Sequence, residues 1–328
     1  LLVGYFKKNR TQAVLFLPLL IMGLWAFPFF HLEPYSGSHL MPFYELLVDL
    51  LGQKPVVLHL VALAVTILSA FLLNYLAAEQ EVLNTATYMP GVMYGVFMSC
   101  GPLLTSLHPV LCANLFLILA LRRLFTTHRK ETAYAEVFDA GMYVALATLF
   151  YVPALVFMPL IWVSLILIRP FIWREWIISF FGFVTPYLFV GMYYYWIDKF
   201  SYLWYDKIFY PIGINHINLD WPLADYLLFG MLTFIALVSF TRVFSGVAVN
   251  TVRAKNNLMV LLWMCGLSAV SVLIAPEFSI RYFAFLAVPC SIFASNYFLS
   301  LKRTWFAELL FSLLLMAILL VQLAEIKW

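Results

Sequence analysis

Between short charged breaks the chain is a succession of uninterrupted apolar runs, among them VVLHLVALAVTILSAFLLNYLA at 56–77 and WFAELLFSLLLMAILLVQLA at 305–324. Runs of this kind match the roughly 20 residues a helix needs to cross a hydrocarbon core about 30 Å thick. In that medium a helix satisfies its own backbone hydrogen bonds, whereas barrel strands would alternate in polarity over about ten residues. With 65% hydrophobic and 11% charged residues in a chain of 328, there is more apolar surface than a soluble domain of this size hides. The sequence therefore specifies an all-α fold, a polytopic transmembrane helical bundle forming a single transmembrane domain over 1–328.

Apolar periodicity places about eleven spans, at 13–30, 56–77, 89–106, 109–121, 138–152, 154–168, 177–197, 223–241, 257–275, 281–299 and 305–324. The fourth and fifth are short, which allows a re-entrant segment there. With a cytoplasmic N-terminus the inner side carries Lys7, Lys8, Arg10, Arg122, Arg123, Arg129, Lys130, Arg169, Arg174, Arg242, Arg253, Lys255, Lys302 and Arg303. The outer side carries only Lys54, Lys199, Lys207, Arg281 and Lys327, the bias that orients helical membrane proteins. The C-terminus is then extracytoplasmic. FPFFHLEP follows the first run where a cleavable signal would offer small residues, so that run reads as a retained anchor.

IRPFIWREW at 168–176 looks like an interfacial elbow on the cytoplasmic side. Pro170 ends a span, Trp173 and Trp176 favour the headgroup layer, and Arg169 and Arg174 meet phosphate. Of four cysteines only Cys100 and Cys112, flanking one loop, are placed to pair. Ionisable groups are absent from span centres and discontinuous helices are not evident, which argues against an ion-coupled transporter. There is no phosphate-cradling loop, nucleophile elbow or zinc motif, and the basic residues form no nucleic-acid stripe.

Carboxylates gather instead on the outer side. In the outer loop 31–55, Phe43, Leu46, Leu47, Leu50 and Leu51 have helical spacing, with Pro42 to open and Gly52 to close an amphipathic interfacial helix. Glu45 and Asp49 share its polar face, and Glu33 lies just upstream. The aromatic outer loop 198–222 sets Asp206 among Trp204 and Trp221, a composition that suits sugar stacking or an interfacial aromatic belt.

NTATYMPGVMYGVF, PVLCANLFLILALRRLF, EVFDAGMYVALATLFYVPALVF and ILIRPFIWREWIISFFGFVTPYLFVGMYYYW resemble a family of uncharacterised multi-span inner-membrane proteins of Bacteroidetes, over about residues 75–197. That resemblance implies a bacterial inner membrane and no particular activity. The order of parts (one span, an acidic outer loop with a membrane-parallel helix, then many spans) is similar to that of the GT-C superfamily of glycosyltransferases. This second resemblance implies a polyprenyl-phosphate glycolipid as donor and Glu33 as base or as ligand to a divalent metal. Glu45 and Asp49 would be auxiliary carboxylates, and Arg281 would contact lipid phosphate. Pro34 stands where the superfamily usually has a second acid. A non-enzymatic subunit of an envelope complex for export, lipid handling or motility, docked to partner membrane proteins, fits the same residues.

Overall fold

The computed structural model describes residues 6, 11–30, 40–52, 54–83, 85–101, 104–128, 130–209, 239, 241, 251–275, 280–301 and 303–325. Within them the chain is all-helical. The elements are α1 (Thr11–Trp25), α2 (Pro42–Leu50), α3 (Pro55–Glu79), α4 (Met89–Met98), α5 (Pro109–Thr126) and α6 (Tyr134–Phe150). They continue with α7 (Met158–Ile168), α8 (Trp173–Trp196), α9 (Val252–Ile274), α10 (Ala284–Ser300) and α11 (Thr304–Glu325). Prolines open α2, α3, α4, α5 and α7, where the missing N–H is no loss.

Among the described residues Pro55–Glu79, Pro109–Thr126, Trp173–Trp196, Val252–Ile274 and Trp305–Gln322 are long and apolar enough to cross a membrane. The other expected spans each contain a shorter helix, except 223–241, which lies outside the described residues apart from 239 and 241.

One end of the bundle gathers the basic residues. There Arg122 pairs with Glu79 at 3.3 Å and Arg123 with Asp139 at 3.1 Å, Lys130 pairs with Glu136, and Arg253 donates to Gln80. Carboxylates stand at this end too, as partners of the basic residues.

The third span departs from its sequence pattern. Instead of running from 89 to 106, α4 stops after ten residues, all of them buried, about 15 Å of rise and half a hydrocarbon core. The short helix thus falls in the third expected span, while the fourth and fifth segments, which read as short, hold helices of 18 and 17 residues. Gly91 lets α4 lie against α3, because a Cβ there would collide with Asn74 and the Ala70 carbonyl, and Asn74 Oδ1 accepts from the Gly91 amide at 2.7 Å. The last carbonyls of a helix need donor partners, and side chains supply them. Ser99 Oγ donates to Gly95 O, Cys100 Sγ to Val96 O and Gln322 Nε2 to Ser99 O. Cys100 and Cys112 are both free and buried, so the pairing allowed by sequence does not occur; Cys265 lies against Cys290 across α9 and α10 instead.

α6 and α8 cross through reciprocal glycines. A Cβ on Gly141 would strike the Ser179 carbonyl, and one on Gly182 the Phe138 carbonyl. Small residues permit such close approach between membrane helices. Gly182→Val should lower resistance to thermal unfolding in detergent by about 1–3 kcal/mol, and Gly266→Val, with open space around it, should change it little.

The 168–176 segment breaks the helix where expected, but Arg169 is not a headgroup contact. Residues 169–172 are non-helical and α8 begins at Trp173, but Arg169 is buried. Its guanidinium donates to the Thr127 carbonyl at 2.8 Å and the Glu131 carbonyl at 3.0 Å, and it pairs with Glu175 at 3.0 Å, with side-chain exposures of 3% and 1%. Glu175 also accepts from the Ala133 amide. Trp176 stacks on Trp162 at 5.9 Å, while Trp173 and Arg174 are exposed as expected of headgroup-facing residues. Local spacing reports the turn and its surface residues, but it carries no trace of the 127–133 loop that folds over Arg169. Removing one partner of such a pair strands a buried charge. Glu175→Leu should therefore cost about 3–5 kcal/mol, and the double change Arg169→Met/Glu175→Leu should cost less. Equal losses of under ~1 kcal/mol for each single change would restore the surface reading.

Candidate functional site

At the end opposite the basic residues, α2 is a bracket between two other segments. Pro42 and Glu45 fit its first turn, the acid favoured by the helix dipole. Phe43 packs edge-on against Phe150 of α6, and the Tyr44 hydroxyl donates to the Leu107 carbonyl at 2.9 Å. On the polar side Glu45 Oε2 meets Lys207 Nζ at 3.0 Å, which also donates to the Leu40 carbonyl at 2.7 Å and lies 5.4 Å from the Tyr202 ring. Asp198, at φ 54°, turns the chain out of α8, and the segment then forms a short helix, Phe200–Tyr202, and a π-helical turn, Leu203–Phe209, that carries Lys207 inward.

Lys207 keeps only 6% of its side chain exposed. Burial pulls its pKa down, but the Glu45 carboxylate and Tyr202 outweigh this and leave it above the ordinary lysine value. The ammonium's contribution to stability is therefore complete at neutral pH and is lost only as pH rises through that raised value.

Beside this bridge runs an apolar groove of about 870 Å³ between α8 and the 200–209 segment, lined by Tyr187, Leu188, Trp196, Leu203, Trp204 and Ile208 among others. Lys207 shares the π-helical turn with Leu203, Trp204 and Ile208. The slot is thus hydrocarbon along its length with a cation beside one wall.

On the other flank of α2, the non-helical stretch leading from α4 to α5 ends at His108. Its Nδ1–H donates to the Ser106 carbonyl at 2.8 Å, which leaves Nε2 as a buried lone pair with no donor among the described residues. Burial holds its pKa down at about 4, opposed by the Ser106 contact and aided by the nearby positive Arg281.

The sequence candidates are only partly brought together. Glu45 is in the bridge, Asp49 is exposed on α2, Trp204 lines the groove, and Arg281 stands in the Ile280–Phe283 turn near His108. Asp206 lies on the π-helical turn; Glu33 and Trp221 fall outside the described residues. Among those residues no three His, Cys, Asp or Glu side chains converge as metal ligands, and Glu45 is already neutralised, so they form no cation cage by themselves. Sequence reasoning missed Lys207 and His108. The one available signal was a lone lysine inside an aromatic loop.

Residues 41–327 match the sequence profile of DUF6427, a family of unknown function. The chain belongs to that family. No curated protein matches it. The fold of this DUF6427 chain is similar to that of the archaeal oligosaccharyltransferase AglB from Archaeoglobus fulgidus, in a structure with an inhibitory peptide and a dolichol-phosphate. The TM-score is 0.54 and the identity 11%, over 96% of this chain and 55% of that one. An oligosaccharyltransferase of the same organism, tethered to an acceptor peptide, matches with TM-score 0.53 and 13% identity, over 97% of this chain and 55% of that one. At such identity the likeness is one of fold, and the DUF6427 chain spans about half the length of the chains it matches. The helical arrangement is what the chain shares with these oligosaccharyltransferases.

A histidine buried in its neutral form opposes protonation, so the unfolded chain binds its proton first as pH falls. Stability should drop between about pH 6.5 and 4 by on the order of 3 kcal/mol on account of His108. Comparing melting temperatures of wild type and His108→Asn at pH 7 and pH 4.5 checks this, the variant showing the smaller drop.

Proposed function

We propose that the chain is a GT-C-like glycosyltransferase that uses a polyprenol-linked sugar at the outer face of a bacterial inner membrane. The observation that carries this reading is an apolar groove, one wall of which is the turn that also carries the buried Lys207 and its partner Glu45, on a fold similar to that of an oligosaccharyltransferase. An isoprenoid chain needs a slot of hydrocarbon, and its phosphate needs a cation near the membrane surface. The end bearing α2 faces outward because the arginine-rich end belongs to the cytoplasm. In this reading Glu33 removes the acceptor proton, Glu45 and Asp49 support it, and Trp204 and Trp221 hold sugar faces with Asp206 accepting hydroxyl hydrogen bonds. Arg281, close to His108, is the residue that contacts lipid phosphate. If a divalent metal takes part, Glu33 is the residue this reading assigns to it.

Gly191 offers a direct test. It lines the groove, and a Cβ there meets only Phe200, at an ordinary 3.7 Å, so Gly191→Trp fills the slot without forcing helices apart. Polyprenyl-phosphate binding and glycan assembly should fall by about tenfold or more at unchanged melting temperature. Glu33→Gln should abolish assembly at normal protein level while binding persists. Wild-type assembly by both variants would sink the transferase reading. If the chain also copurified with a stoichiometric membrane partner, the envelope-subunit alternative would replace it.

A further inference from the structure

The partners of the Glu45–Lys207 bridge are unequally placed. Lys207 is held by the Leu40 carbonyl and the Tyr202 ring as well as by Glu45, and is 6% exposed. Glu45 is 44% exposed, and Lys207 is the only charged partner its carboxylate meets among the described residues. The lysine is built in, whereas the carboxylate is half in water already.

We propose that the Glu45 carboxylate is the resident counter-ion of an empty lipid site, and that the phosphate of a polyprenyl monophosphate lying in the groove takes its place on Lys207. This rests on the lipid-linked donor reading above. A buried ammonium without an anion is costly, so the empty site needs Glu45. A phosphate monoester brings more charge and three strong acceptor oxygens to the same ammonium. The two anions repel each other at one cation, so the carboxylate, already 44% exposed to water, leaves. Glu45 loses little by moving, because most of the rehydration it needs is within reach of its exposed oxygen. The tail enters beside Lys207 because Leu203, Trp204 and Ile208, on the same π-helical turn, form one wall of the slot. Once freed from Lys207, Glu45 is a basic carboxylate at the membrane surface. Its release is thereby tied to the arrival of the lipid, and the carboxylate stays neutralised while the groove is empty.

The consequence is an affinity change of unusual sign. Binding of undecaprenyl monophosphate and of neutral undecaprenol to the full chain in detergent is measured by native mass spectrometry, with circular dichroism as the check on folding. Glu45→Gln, which keeps an acceptor for Lys207 but removes the competing charge, should tighten phosphate binding about fivefold and leave the alcohol unchanged. Lys207→Gln should weaken phosphate binding about tenfold, again sparing the alcohol. In the double variant the gain from Glu45→Gln should vanish. Lys207→Arg, which keeps the charge if Lys207→Gln folds poorly, should retain most of the phosphate preference. If both ligands bind but Glu45→Gln leaves phosphate affinity unchanged or weaker, the counter-ion exchange is wrong and the donor reading survives. If neither ligand binds wild type, both fall. Equal competition by phosphatidylglycerol would mark the groove as ordinary annular lipid contact and overturn the exchange.

Discussion

Arg169 and Glu175 face each other at 3.0 Å with almost no access to water, and the basic end of the bundle is organised around them. The guanidinium ties down two carbonyls of the α5–α6 connection while the carboxylate takes an amide of the same connection. Three parts of the chain, 127–133, 169 and 175, are thereby fixed at one point. An apolar surrounding makes this compulsory, since a charge without a partner there costs far more than a surface charge does. The exposed pairs around it, such as Arg123 with Asp139, are worth little individually.

The same demand for partners explains why a helix can end inside the bundle. α4 stops at Met98, and its terminal carbonyls are taken by Ser99, Cys100 and Gln322 rather than by water. Between Met98 and Pro109 the described residues are non-helical and almost all buried. Irregular backbone at such depth is tolerated where protein covers it. This detour gives Tyr44 a carbonyl to bind, and so gives α2 its seat.

α2 in turn links the two halves of the candidate site. Tyr44 ties it to Leu107, next to His108, while Phe43 and Glu45 tie it to the groove wall and Lys207. The likeness to the oligosaccharyltransferases covers nearly all of this chain but only about half of theirs. What the DUF6427 chain has in common with them is the fold over that length.

The sequence by itself determined the class of fold, because apolar runs about 20 residues long have no other stable form in lipid. It also located a helix in each of the candidate spans the structure describes and found the α2 helix from Pro42 and the spacing of its leucines. The break at Pro170 and the exposure of Trp173 and Arg174 were legible for the same reason: each depends on neighbours within a few residues. The pairings were decided only by tertiary structure. Glu45 and Lys207 lie 162 residues apart, and either alone reads as a wet surface charge. Arg169 read as a headgroup contact because the carbonyls that bury it belong to another loop. The early stop of α4 was hidden for the opposite reason, since Ser99 and Cys100 look like ordinary span residues until Trp25 and Gln322 are brought beside them. Hydropathy records what a segment does with lipid, whereas charge pairing and helix termination depend on which distant side chain arrives at the same point.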